Sequence, residues 1–360
     1  MVDLFKPYWI GELEIRNRFM RSATTSAWSD ENGVVRDEII RLYEGLAEGG
    51  IGLIIKGHLY IDPRGKAHEG MAGIHDDAVV PRLKQLTDAV HSRGGAILAQ
   101  INHGGYQAGA GTRMGPSNFE TAEWKAREMT TREIWGAVEK FGEGATRAID
   151  AGFDGVQIHA AHGYLISEFL SKHANRRTDD WGGDLKNRMR LLREVYLEIR
   201  GRLGPDAVIA MKINSDDFSP DGFTIDESAQ VSHAMAALGI DVIEVSGGGI
   251  GGEDKYRGRG RSGDPAFSEP TFGGHCAKIR EATRPKTLAL VNGFRTLGSM
   301  KAYADAGICD LISMSRPLIR EPDLVKRLQE GQTEASCISC DACDLESVFG
   351  KEMLHCHVEP

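Results

Sequence analysis

The chain has 360 residues, 41% of them hydrophobic and 26% charged, enough to bury a large core as one big domain or two small ones. Its formal net charge of −9 excludes binding nucleic acid through a broad basic face, which needs clustered Lys and Arg. No apolar run reaches the roughly 18 residues that suggest a membrane span, and the N-terminus MVDLFKPYWIGELEIRNRF lacks a basic stretch followed by an apolar one, so a cytoplasmic protein is expected.

Eight short apolar runs punctuate the chain: FMRSA (19–23), GLIIK (52–56), AILAQIN (96–102), GVQIHA (155–160), VIAMKIN (208–214), VIEVSGG (242–248), LALVNG (288–293) and LISMSR (311–316). They lack strict alternation, as strands buried on both faces do. Between them lie amphipathic stretches that predict helices, among them 37–50, 78–94, 132–152 and 187–204. Strand then helix, eight times over, predicts an α/β fold, a (β/α)8 TIM barrel over residues 1–330, with a short Cys-rich tail at 331–360. A doubly wound open sheet would place a Gly-rich fingerprint after its first strand, where this chain has TTSAW. GGGIGG (247–252) follows the sixth run and precedes the charged EDKYRGRGR rather than a helix, so it is not read as a dinucleotide site.

Chemistry in such a barrel gathers at the C-terminal ends of the strands. Here those ends are unusually polar: Thr24 and Thr25, Gly57 and His58, Gln100 and His103, His159 and His162, Lys212, Ser246, Gly293, then Ser315 with Arg316. Gly293 and Arg316 close the seventh and eighth runs, where barrels commonly hold a phosphate, so a phosphorylated cofactor is expected. Lys212, near the end of a buried run, needs a negatively charged partner, and a reduced flavin would suit it. Gln100 suits the pyrimidine edge of such a ring and the Thr25 hydroxyl a carbonyl oxygen on it. In IHAAHGYLISEFLS (158–171), the spacing of His159 and His162 can aim two imidazoles at one carbonyl oxygen, with the Tyr164 phenol near enough to deliver a proton. Core histidines or a metal site are the other readings of that pair; for a metal, no third ligand is apparent nearby.

RNRFMRSATT (16–25), QINHGG (100–105), AGFDGVQIHAAHGYLISEFLS (151–171), NRRTDDWGGDLKNRMRLLREV (175–195), VNGF (291–294) and ISMSRPLIREPDLVKRL (312–328) together resemble the old yellow enzyme family over residues 3 to 330. The resemblance implies FMN held by Ser22, Ala23, Thr25, Gln100, Lys212, Gly293, Ser315 and Arg316. It implies that His159 and His162 bind a substrate carbonyl or nitro oxygen and that Tyr164 is the proton donor. The implied reaction is ping-pong: NADH or NADPH reduces FMN, which passes hydride to the β-carbon of an activated alkene. Three departures stand out. Thr25, as in the yeast and plant type, stands where many bacterial members have Cys, which removes redox tuning through a thiol. Tyr106, where the family often has Arg, and a loop 247–261 that lacks a His used by some members leave the substrate open.

Cys337, Cys340, Cys343 and Cys356 form C-x2-C-x2-C-x12-C after the barrel, spacing that suits a [4Fe–4S] cluster first, with unmetallated thiols and then zinc as the other readings. Larger family members carry a cluster there with the third cysteine displaced by one. Cys276 and Cys309 are expected in the core. Because the chain runs only four residues past Cys356, electrons are expected from nicotinamide directly or from a partner protein docking beside the tail. A homo-oligomer and a small-molecule substrate are expected. Alternative functions on this scaffold are an amine dehydrogenase or demethylase, with Trp28 and Tyr106 as walls for an ammonium group, and an electron-transfer module without turnover.

Overall fold

The computed structural model describes residues 1–109, 113–250, 269–284, 286–344 and 349–358. Eight parallel strands close into a barrel: β1 (Phe19–Thr24), β2 (Leu53–Tyr60), β3 (Ala96–Asn102), β4 (Gly155–Ala160), β5 (Val208–Asn214), β6 (Val242–Ser246), β7 (Thr287–Val291) and β8 (Leu311–Met314). Each pairs with its sequence neighbours, and β8 returns to β1. All eight runs expected to be strands are strands. Helices α1 (Asp37–Glu48), α2 (Val80–Ser92), α3 (Thr131–Asp150), α4 (Arg190–Leu203), α5 (Ile225–Leu238), α6 (Gly273–Thr283), α7 (Leu297–Asp305) and α8 (Leu324–Gln329) follow them. The stretch expected as one helix at 187–204 is broken at Met189, after a short turn Leu185–Arg188. Of the Gly- and Arg-rich loop at 247–261, residues from 251 onward lie outside the described residues.

Local chemistry fixes the helix starts. In α3 and α5, Thr130 and Thr224 accept a hydrogen bond from the amides of Glu133 and Glu227, whose carboxylates bond back to the cap amides. Each box satisfies two backbone donors that a helix start otherwise leaves open.

The pleat sends alternate strand residues into the barrel, and these stack in layers. The lower layer is apolar and includes Met20, Leu53, Leu98, Ala210, Ala289 and Leu311. An antiparallel hairpin, Tyr8–Ile10 with Leu13–Ile15, adds Ile10 and Ile15 to this cluster and closes the N-terminal end. One pleat higher the layer turns polar, with Ser22, Gln100, Gln157, Lys212, Glu244 and Ser313. Cys276 and Cys309 are buried between barrel and helices, where burial pushes the Cys276 thiol up to about 12. Among the described residues, no helix is long and apolar enough to cross a membrane.

Truncating Leu98, which has no exposed surface, removes packing that the barrel cannot refill. Leu98→Ala should lower stability by about 2–5 kcal/mol in denaturant unfolding. Leu197→Ala, 41% exposed on α4, should change it by no more than about 0.5 kcal/mol.

Candidate active site

A cavity of about 330 Å³ opens above the polar layer, at the C-terminal ends of the strands. Seven of the eight residues expected to hold a flavin line it: Ser22, Ala23, Thr25, Lys212, Gly293, Ser315 and Arg316. Gln100, the eighth, lies in the layer beneath, where its amide donates to Gln157 Oε1 at 2.7 Å.

On the β7–β8 side, Asn292 and Gly293 both take left-handed backbone conformations, with φ of 81° and 100°. This bends the chain away from the strand and brings bare backbone to the cavity wall. Arg316, directly after β8, donates to Asn292 Oδ1 at 2.9 Å and pairs with Asp341 of the tail. The Asn292 side-chain amide nitrogen is buried without a hydrogen-bond partner. An unsatisfied donor beside a guanidinium and a glycine backbone fits a multiply charged oxyanion such as a phosphate.

On the β5–β6 side, Lys212 is 3% exposed and Glu244 is 0% exposed. The two are register partners on adjacent strands, and their charged groups lie 3.5 Å apart. Lys212 Nζ donates to Ser22 Oγ at 2.7 Å, and Ser22 Oγ donates to Glu244 Oε1 at 2.7 Å. Ser313 donates to the same oxygen at 2.7 Å, and Gln157 donates to Oε2 at 2.9 Å. Burial lowers the Lys212 pKa, and the Glu244 carboxylate opposes that shift.

The β4 end supplies the third wall. His162 (φ 62°) and Gly163 (φ 69°) are consecutive left-handed residues. A side chain at position 163 would meet Ile250 at 2.6 Å, so the turn requires glycine. The His162 amide donates to Asn214 Oδ1 at 3.0 Å, and Gln107 donates to the carbonyls of His162 and Gly163 at 2.8 and 2.6 Å. The His162 ring is anchored through Nε2 to Ser246 Oγ at 2.7 Å. This bond holds the ring in place, with the serine hydroxyl able to donate to or accept from Nε2.

His162 and Tyr164 both face the cavity. His159 stands behind them, buried, its ring perpendicular to that of His162 at 5.3 Å and 4.9 Å from the Tyr164 ring. The structure adds two histidines to this group. His58, from the end of β2, lies 5.1 Å from Tyr164 and 5.7 Å from His68, which lines the cavity. Burial holds the pKa of His58 and His159 well below the usual histidine range, and that of His68 is lowered by the same cause. Near neutral pH these rings are therefore neutral donors or acceptors rather than cations. Among the described residues no three His, Cys, Asp or Glu groups converge on a metal position, so the cluster does not form the metal site weighed for the histidine pair.

Tyr106, considered as a substrate wall, is fully buried elsewhere. It stacks on Phe119, and its hydroxyl donates to the Ser117 carbonyl at 2.7 Å. Trp28, the other wall considered, lies under Arg36 and does not line the cavity.

The tail docks against the cavity mouth and contributes Ser339, Asp341, Cys343, Phe349 and Leu354 to its wall. Cys337, Cys340, Cys343 and Cys356 all line a second, small cavity beside the first, with Arg316 and Arg320. The Ser339 amide bonds Cys337, and Arg320 donates to Cys356 Sγ at 3.3 Å. Cys343 belongs to both cavities.

With this geometry in place, a family model described as NADH:flavin oxidoreductase / NADH oxidase matches residues 3–335. The chain belongs to that family. Its barrel is that of a flavin-dependent oxidoreductase of the old yellow enzyme type. It is 32% identical over 371 residues to an NADH oxidase of Thermoanaerobacter brockii, covering 99% of this chain and 56% of the relative. A 2-naphthoyl-CoA reductase, solved with 2-naphthoyl-CoA, superposes with a TM-score of 0.91 at 27% identity, over 99% of this chain and 57% of that one. An old yellow enzyme homologue from Zymomonas mobilis superposes with a TM-score of 0.77 at 27% identity, over 92% of this chain and 94% of that one. The chain thus spans about half the length of several curated relatives it matches, at 56%, 53% and 52%.

His103, at the end of β3, is buried, and its Nδ1 accepts the Gly105 amide hydrogen at 3.1 Å. Burial lowers its pKa from 6.5 to about 4, so between these values the unfolded chain binds the proton and the folded chain does not. Stability should therefore rise with pH across that window, by about 3 kcal/mol from this residue. Urea unfolding at pH 4.5 and 7 should show a smaller difference for His103→Gln than for the parent chain.

Proposed function

We propose that this chain is an FMN-dependent reductase of activated C=C bonds in α,β-unsaturated carbonyl compounds, with NADH or NADPH as reductant. The observation that carries the reading is one cavity with three walls of matching chemistry. The Asn292–Gly293 backbone, the unsatisfied Asn292 amide and Arg316 fit a phosphate. Lys212, Ser22 and Thr25 fit a flavin ring, with Gln100 in the layer below. His162 and Tyr164 face the same space, where a substrate would lie.

FMN, when bound, supplies hydride for the alkene β-carbon and is renewed by NAD(P)H. The protein does the rest. His162, its ring held by Ser246, donates a hydrogen bond to the substrate carbonyl oxygen and stabilises the negative charge that gathers there. His159 and His58 pack behind as neutral rings, which keeps a competing positive charge out of the pocket. The Tyr164 O–H bond breaks as a C–H bond forms at the α-carbon, and solvent restores the phenolic proton.

The four tail cysteines are proposed to hold a [4Fe–4S] cluster. A single zinc ion needs all four sulfurs about 2.3 Å from one point, whereas a cluster takes each thiolate on a separate iron. The C-x2-C-x2-C-x12-C spacing and the one small cavity that the four cysteines share, flanked by Arg316 and Arg320, support the cluster reading. A cluster would supply one-electron capacity next to the flavin cavity, with Cys343 at the junction and the exposed Cys340 and Ile338 on the side a protein electron donor could approach.

The purified protein should release FMN on denaturation and consume NAD(P)H with 2-cyclohexenone. His162→Ala should lower turnover about 10²–10³-fold. Tyr164→Phe should leave flavin reduction by NAD(P)H unchanged while slowing reoxidation by the enone. Absence of flavin, or flavin bleaching by N-methyl amines with no enone turnover, would reject the reading. Anaerobic reconstitution with iron and sulfide should add a broad absorbance that a Cys340→Ser variant loses.

A further inference from the structure

Glu244 stands out as a buried charge that touches neither the cavity nor solvent. It is the one carboxylate in the polar layer, with 0% exposure. Such a group is costly to bury and is stable only when its lone pairs are filled. Here they are: two serine hydroxyls, from β1 and β8, reach one oxygen, and the Gln157 amide and the Lys212 ammonium share the other. Three of these contacts lead upward. Ser22 and Ser313 line the cavity, as does Lys212, and Gln157 holds the Gln100 amide.

We propose that Glu244 is a positioning residue that sets the charge and direction of the flavin-facing polar groups, acting chiefly through Lys212. The inference rests on the reading of the main cavity as the FMN site. Lys212 is held from two sides, by Ser22 at 2.7 Å and by the carboxylate at 3.5 Å, so its ammonium meets the cavity partly neutralised. Reduction by hydride brings two electrons and one proton to the ring, which then carries one extra negative charge. A bare Lys212 would favour that charge strongly; a Lys212 shared with Glu244 favours it less. Glu244 therefore holds the flavin at a lower potential than the lysine alone would, and so a better hydride donor to the alkene.

The test is the midpoint potential of bound FMN, measured by dye equilibration in the reconstituted holoprotein. Glu244→Gln keeps the shape and removes the charge. It should favour reduced over oxidised flavin about tenfold more than wild type does, a rise of about 30 mV for a two-electron couple. Lys212→Met should shift the potential the opposite way, and Glu244→Asp, which keeps the charge, should stay near wild type. Loss of general packing would not produce shifts of opposite sign. If Glu244→Gln alone does not accumulate folded, the pair Lys212→Met and Lys212→Met/Glu244→Gln serves, because the double variant buries no lone charge. The double should then lie above the single. FMN bound with equal potentials in the charge-removed and parent proteins overturns the role of Glu244 and leaves the FMN reading standing. A wild-type protein that takes up no FMN overturns both.

Discussion

A carboxylate sealed inside a barrel has to be answered from several directions at once, and the upper half of this structure follows from how Glu244 is answered. Its partners come from β1, β4, β5 and β8. Their side chains are locked at the height where the apolar lower layer ends and the cavity begins. Each bond is modest in net terms, but leaving any one unmade inside the protein costs far more. The layer therefore acts as a rigid floor, and strands that could breathe independently are tied across the barrel axis.

Much of this was legible in the sequence. Buried parallel strands read as apolar runs, and polar residues at their ends mark the face where the cavity lies, so the eight strands and the placing of Gly293, Arg316, His162 and Tyr164 on that face were legible. What the sequence concealed lies one pleat lower. Gln157, Glu244 and Ser313 each sit two residues before a strand-end candidate, inside runs whose apolar neighbours mask them. The signal was there, in a polar residue on the inward phase of a strand, but its meaning depends on closure of the barrel. Ser22 and Glu244 are 222 residues apart and meet only because β8 returns to β1.

Other elements were hidden for different reasons. His68 lies in a loop with no periodicity to orient it, so nothing local places it near His58. Tyr106, read as a wall because of its position after β3, is instead drawn into an aromatic cluster with Phe119 and Trp124, where its ring is fully buried. The tail was legible as a cysteine pattern, not as a wall. Its docking depends on Asp341 meeting Arg316 and on Arg320 meeting the Val358 carbonyl, contacts between residues 25 and 38 positions apart.

The hairpin of Tyr8–Ile10 and Leu13–Ile15 has a consequence for traffic. By filling the barrel's lower end with Ile10 and Ile15, it removes any passage along the axis. Whatever enters the cavity must leave by the face it came through. Under the proposed function, a nicotinamide donor and an oxidising substrate would both use the space beside His162 and Tyr164 and would have to take turns there. The exchange of one for the other is a matter of queueing at a shared doorway, and excess of either reactant would hold the doorway against its partner.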